Sequence, residues 1–243
     1  MHSRNAGGTR ERCRLNDAAG TAWRGEDVEQ GAEHMHKESD ETARAAQEPT
    51  VTTTRRALCL VHYPVLDRTG ATITTSVTNL DVHDLARSAR TYGLSRYYIV
   101  TPIAAQRALV EGITEYWKTP SAQERLLPRT RALARVRVVA SVADAVADLT
   151  ELEGEAPELV ATSAQPSSFC PEMSFREAAR ATKPQLLLFG TGHGLAADIL
   201  AQCVYRLPPI DPGFGYVHLS VRAAVAIILD RLQQARPCAG TDS

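Results

Sequence analysis

The chain has 243 residues, 44% of them apolar, and a formal net charge of −1. That composition supports a real core in one large or two small domains. It excludes the basic whole-protein signature of a tight, non-specific duplex binder while leaving room for a local basic groove. The five cysteines, Cys13, Cys59, Cys170, Cys203 and Cys238, are odd in number and far apart with no C-x-x-C pair, which fits a reducing compartment, the cytoplasm. No apolar stretch approaches the roughly 20 residues of a spanning helix, and the N-terminus lacks a secretory signal's apolar core, so no membrane association is expected.

Residues 1–55 show no sustained apolar period and are rich in Gly, Glu, Arg, Thr and Ala, the composition of a segment unable to offset its own ordering entropy. A disordered extension is expected there, basic at first (Arg4, Arg10, Arg12, Arg14, Arg24) and mostly acidic from Glu26 to Glu48. An organelle transit peptide is the rival reading, opposed by Glu11, Asp17 and the scarcity of serine.

From Ala57 the texture changes. "ALCLVHYPVL", "RYYIVTP", "RVRVVAS", "ELVATSA", "QLLLFG" and "CVYRLPPI" are short strand-like runs. Between them, 81–92, 103–116, 141–151, 174–182, 194–202 and 219–235 have helical spacing. This alternation predicts an α/β domain over 56–236: a mostly parallel sheet with helices on both faces, followed by a disordered tail at 237–243. Ligands of such sheets sit beyond the carboxyl ends of the strands, where Thr162, Ser163, Gly190 and Ile210 fall.

The helix over 81–92 takes Asp81 as its N-cap and ends at Gly93, with Val82, Leu85, Ala86 and Ala89 as its inner stripe. His83, Arg87 and Arg90 share one flank, and Asp84–Arg87 is spaced as an i,i+3 pair. A solvated face accounts for that flank as readily as a binding surface.

Gly190, Gly192 and Gly194 then fall within five positions, between an apolar run and a helix. Leu195 stands where a dinucleotide fingerprint needs glycine, and no Lys-Ser/Thr pair follows as in a P-loop. Farther on, Pro208, Pro209, Pro212, Gly213 and Gly215 fix an irregular loop, after which Tyr216, His218 and Ser220 stand at the mouth of a nearly all-apolar helix. Such a helix is buried within its domain or against a second subunit. Its N-terminus suits an anion, and His218 serves equally as a plain helix cap. His62, His83, His193 and His218 are scattered without a ligand spacing, so no metal site is expected. Ser163, His193 and Asp211 lack the G-x-S-x-G elbow of a hydrolase.

Taken together, "NLDVHDLARSARTYG", "LLLFGTGHGL" and "PPIDPGFGYVHLSVRAAVAIIL" resemble, in order, the three motifs of the SPOUT-class RNA methyltransferases, over about 57–236. In the first motif the family's Arg six residues before a Gly selects Arg87 and Gly93. Asp81 and His218 stand where many ribose-methylating members have Asn. The resemblance implies a C-terminal trefoil knot, S-adenosylmethionine as cofactor, methyl transfer to tRNA or rRNA, and a homodimer packed through the last helix and the first-motif region, with each RNA site built from both subunits. It further implies a cofactor pocket lined by Thr162, Ser163, Gly190, Thr191, Gly192, His193, Gly194, Ile210, Tyr216 and Leu219. Arg87, His218 and Ser220 become the catalytic candidates, and Arg90 and His83 the RNA contacts. Two rivals remain: a protein that keeps the fold and binds RNA or cofactor without catalysis, and a nucleotide-dependent oxidoreductase using the glycine loop.

Overall fold

The computed structural model describes residues 53–164 and 169–236. The disordered segments expected at 1–55 and 237–243 lie outside the described residues, except that Thr54 and Arg55 already belong to the first strand.

Six strands, β1 (Thr54–Val61), β4 (Leu94–Val100), β5 (Val136–Val139), β6 (Glu158–Ala161), β7 (Gln185–Gly190) and β8 (Tyr205–Arg206), form one sheet in the order β5-β4-β1-β7-β6-β8. Every neighbouring pair is parallel, as the alternation predicts. β1 is central: Val61 pairs with Val100 on one side and Gly190 on the other. Its residues from Arg56 onward are buried on both faces, which is why it reads as a continuous apolar run rather than an alternating one.

One face of the sheet, with Leu58, Leu60, Tyr97, Ile99 and Phe189, packs under α1 (Asn79–Thr91), α2 (Ala104–Tyr116), α3 (Pro120–Leu133), α5 (Phe175–Arg180) and α7 (Val221–Gln234). The other, with Cys59, Val61, Tyr98 and Leu188, packs under α4 (Val142–Glu153), α6 (Ala197–Leu200) and the hairpin β2 (Val65–Leu66)–β3 (Thr72–Ile73). The buried cysteines Cys59, Cys170 and Cys203 are free.

Several elements differ from the sequence expectation for physical reasons. The run 57–66 breaks at His62, and Pro64, with a cis Tyr63–Pro64 bond, redirects the chain into β2. α1 is capped by Thr78, whose Oγ1 accepts from Asp81 N (3.2 Å) while the Asp81 carboxylate accepts from Thr78 N (3.2 Å); Asp81 is the third residue of the helix and closes the capping box, but is not the cap. The helix does end at Gly93, with φ 68°, and its predicted inner stripe is fully buried. α3 was not expected: Pro128 interrupts its pattern, and the chain leaves helical geometry at Leu126 (φ −145°, ψ 56°). The helix expected over 194–202 shrinks to four residues because the chain up to Ala196 is tied to β2. β8 is two residues long, since Pro208 and Pro209 offer no N–H to a ladder.

Candidate functional site

β7 ends at Gly190, and the chain folds back on it so closely that a Cβ there would lie 2.7 Å from Leu195 N and 2.8 Å from Gly194 C. Gly192, at φ +59°, lies against Leu66, whose carbonyl oxygen would be 2.7 Å from an added Cβ. The backbone of 193–196 is laced antiparallel to 64–66: His193 N donates to Leu66 O (2.8 Å), Leu66 N to Gly194 O (2.9 Å) and Ala196 N to Pro64 O (3.3 Å). Glycine is required here because backbone meets backbone.

Behind this wall runs a hydrogen-bonded chain. Thr191 Oγ1 donates to Val61 O (3.1 Å) and contacts Thr75 Oγ1, which lies 2.9 Å from His62 Nδ1. Thr75 Oγ1 also donates to the His62 carbonyl (3.5 Å), so it meets both the ring and the backbone of His62. His62 is buried, and its Nε2 has no partner among the described residues. Burial pushes its pKa down to about 4, against a smaller opposing pull from Asp81, so the ring is neutral.

Opposite the first loop stand the end of β6 and the segment leading into α7. Thr162 extends β6, its N and Oγ1 both donating to Leu188 O (3.1 and 2.8 Å). After Leu207 the chain runs through the proline-glycine loop to Ser220, which caps α7 by accepting from Ala223 N (3.3 Å). That contact gives the capping role weighed for His218 to Ser220, whose own O–H hydrogen stays available to donate.

Between these walls lies a cavity of about 410 Å³. Thr162, Ser163, Gly190, Thr191, Gly192, His193, Gly194, Ile210 and Leu219 line it, as the resemblance implies, and so does His218. Tyr216 does not: it is 70% exposed, with its ring edge-on to His218 at 5.5 Å. Ser220 is also outside the lining. Sequence reasoning missed Ala164, Phe189, Val217, Val221, Ala224 and Ile228, which complete the apolar lining. Val221, Ala224 and Ile228 form an i, i+3, i+7 stripe, a signal that could have found them.

The polar surface of α1 divides in two. Asp81 and Asp84 face α7, where Arg222 reaches both, Nη1 to Asp81 Oδ1 at 3.7 Å and Nε to Asp84 Oδ2 at 3.5 Å. The expected Asp84–Arg87 pair is therefore absent, because Arg222 takes the carboxylate. His83, Arg87 and Arg90 occupy the other flank, outside the cavity of their own chain. Arg87 is exposed and makes no ion pair among the described residues. The His83 pKa is lowered by burial and by Arg129 and Arg87. Among the described residues no helix is long and apolar enough to cross a membrane.

A family model for SAM-dependent RNA methyltransferases matches residues 55–234, a span that holds all three motifs. A tRNA (guanine-N(1)-)-methyltransferase of Oleidesulfovibrio alaskensis is 44% identical over 173 residues, 71% of this chain and 40% of that protein. Its counterpart in Nitratidesulfovibrio vulgaris is 43% identical over the same shares, so the chain spans about two-fifths of the length of these relatives. An Aquifex aeolicus protein without a functional name is 37% identical over 183 residues, 74% of this chain and 89% of its own. The structure of a protein assigned to the methylase family from Neisseria gonorrhoeae superposes with a TM-score of 0.51 at 17% identity, over 81% of this chain and 86% of that one, a likeness of fold. With the glycine-walled cavity at the carboxyl ends of β6 and β7 and a family match across the whole described domain, the chain belongs to the SAM-dependent RNA methyltransferases.

Proposed function

We propose that the protein transfers a methyl group from S-adenosylmethionine to a nucleotide of tRNA or rRNA in the cytoplasm. The observation that carries this is the cavity: one wall is the glycine backbone of Gly190, Gly192 and Gly194, and the rest combines hydroxyls and imidazoles with apolar side chains. Those residues fit a nucleoside joined to an amino-acid tail, held largely by main-chain groups and apolar contact. Thr162, Ser163, Thr191 and His193 would meet its polar edges, and Ile210, Leu219 and Val221 its flat apolar ones. The cofactor supplies a sulfonium-bound methyl. The chain aligns the acceptor with it and removes the acceptor's proton. His218, on the cavity wall, would take that proton, and Ser220, between the lining residues Leu219 and Val221, would donate its hydroxyl to the acceptor. Arg87 orients the target's phosphate or ribose, and Arg90 and His83 hold flanking RNA.

A homodimer through α7, with the chain knotted around the cavity, belongs to the same reading. Ala223, Ala226 and Ile227 stay half-buried on the outer side of α7, Phe214 is 88% exposed and Leu80 55%, an apolar surface a second copy would cover. Such a dimer lets Arg87 of each chain serve the cavity of the other. The relatives named for guanine N1 are about two and a half times as long as the region matched, so the target atom is not carried over from them. Family membership sets aside the oxidoreductase reading.

Tritiated methyl transfer to bulk tRNA and rRNA tests the activity, and nucleoside mass spectrometry of RNA from a deletion strain identifies the product. Calorimetry should show S-adenosylhomocysteine binding and no NAD binding. Cofactor binding without methyl transfer to any RNA would favour the fold-only reading. Full activity in Arg87→Ala would remove the role given to Arg87.

A further inference from the structure

Beside the basic flank of α1, the end of α2 presents an aromatic cluster that the cavity does not use. Trp117 meets His83 edge-on at 5.7 Å and Tyr116 edge-on at 5.6 Å, while the Arg129 guanidinium lies 5.3 Å from the Trp117 ring centroid. Tyr116, held at its edge by Trp117, is 59% exposed. Glu115, next to Tyr116, is engaged by Lys118, and Asp84, next to His83, by Arg222. Arg87 and Arg129 make no ion pair among the described residues, and the His83 pKa is lowered first by burial and then by Arg129, with Arg87 adding less than the opposing Asp84. His83 Nδ1 is buried without a hydrogen-bond partner among the described residues. An exposed ring beside unpaired guanidinium groups is the combination that binds unpaired nucleotides, π-face to base and cation to phosphate. A duplex hides its base faces, so such a surface selects single strands.

We propose that Tyr116, Trp117, Arg129 and Arg87 form a subsite for a single-stranded RNA segment flanking the target nucleotide, one base stacking on Tyr116 and adjacent phosphates held by Arg129 and Arg87. The subsite rests on the RNA methyltransferase reading. It extends the RNA path from Arg87 along the α2–α3 surface, away from the cavity.

The chain has two tryptophans, Trp23 and Trp117, so Trp23→Phe leaves Trp117 as the lone reporter. A short single-stranded RNA oligonucleotide should change the Trp117 emission of that variant. On the same background Tyr116→Ala should weaken binding about ten-fold, and Arg129→Gln should lower the slope of log affinity against log salt by about 0.7. S-adenosylhomocysteine affinity, measured by calorimetry, should be unchanged in both and serves as the control for folding. RNA binding with unaltered Trp117 emission, or with both variants at parental affinity, overturns the subsite and leaves the RNA reading intact. Sedimentation showing that Tyr116→Ala changes the oligomeric state instead of RNA affinity assigns the surface to a subunit contact and also overturns it. Absence of RNA binding by the parent chain removes the subsite and the wider reading together.

Discussion

An added Cβ at Gly190 would collide with backbone at 2.7 and 2.8 Å, whereas at Gly213 or Gly215, in the loop across the cavity, it would meet nothing within 4 Å. The first loop is laced to 64–66 by main-chain hydrogen bonds and backed by the His62–Thr75–Thr191 chain. The second is held by prolines, by an Asp211 side chain accepting from Gly213 N (2.7 Å), and by few other bonds, with Phe214 and Tyr216 in solvent. One wall of the cavity is thus a packed element and the other an exposed strap. Both loops take left-handed glycines, but only the first adds close backbone approach, at Gly190 and Gly192.

The contrast can be broken most severely at Gly190. Gly190→Ala should cost about 3 kcal/mol in chemical denaturation, because backbone must move to admit the methyl, and should abolish S-adenosylhomocysteine binding by calorimetry. Next comes acid. His62 titrates at about 4 in the fold and near 6.5 in the unfolded chain, so the unfolded state binds more protons between those values. Its contribution is complete above about pH 6.5, and stability should fall by up to roughly 3 kcal/mol as pH drops toward 4. Thermal melts across that window should show the loss, and His62→Gln should flatten it.

Thr191→Val removes the hydroxyl that joins Thr75 to Val61 O and should cost about 1–2 kcal/mol, with weakened cofactor affinity, in the same two assays. The mildest effect is expected in the strap. Gly213→Ala meets no atom but must hold φ +84°, which should cost about 1 kcal/mol in stability. A Gly213→Ala loss equal to that of Gly190→Ala would erase the distinction between the loops.

Much of this was legible in the sequence, and what was hidden has identifiable causes. Strands such as "QLLLFG" announce themselves because both of their faces are buried, and the inner stripe of α1 because its spacing is helical. The cavity's glycines, Ile210 and Leu219 came from the combined motifs, since no single stretch distinguishes a binding loop from an ordinary turn. Thr78 was overlooked as the cap of α1 because Asp81, three residues on, is an equally good capping residue, and the capping box uses both. α3 was invisible because Pro128 breaks its period. Arg222 and the His62–Thr75–Thr191 chain join residues far apart in sequence, which local pattern does not reveal.

β1 poses a different question: what fixes its alignment. A strand apolar on one face is held in place because a one-residue slip would turn that face to water, but β1 is apolar on both, and a slip would merely exchange Leu58 and Leu60 for Cys59 and Val61 between two dry cores. Polar fastenings at its two ends supply the missing penalty. At the start, Arg56 donates from Nε to Gln185 Oε1 (2.5 Å) and from Nη2 to the carbonyls of Ala178 (2.8 Å) and Ala179 (3.1 Å), while its own carbonyl accepts from Ser95 Oγ (3.2 Å). At the finish, the Thr191 hydroxyl grips Val61 O. Arg56, at the opposite end of the sheet from the cavity, therefore acts as an index mark for it: the residue that brings Gly190 level with Val61 stands five residues upstream and never approaches the ligand.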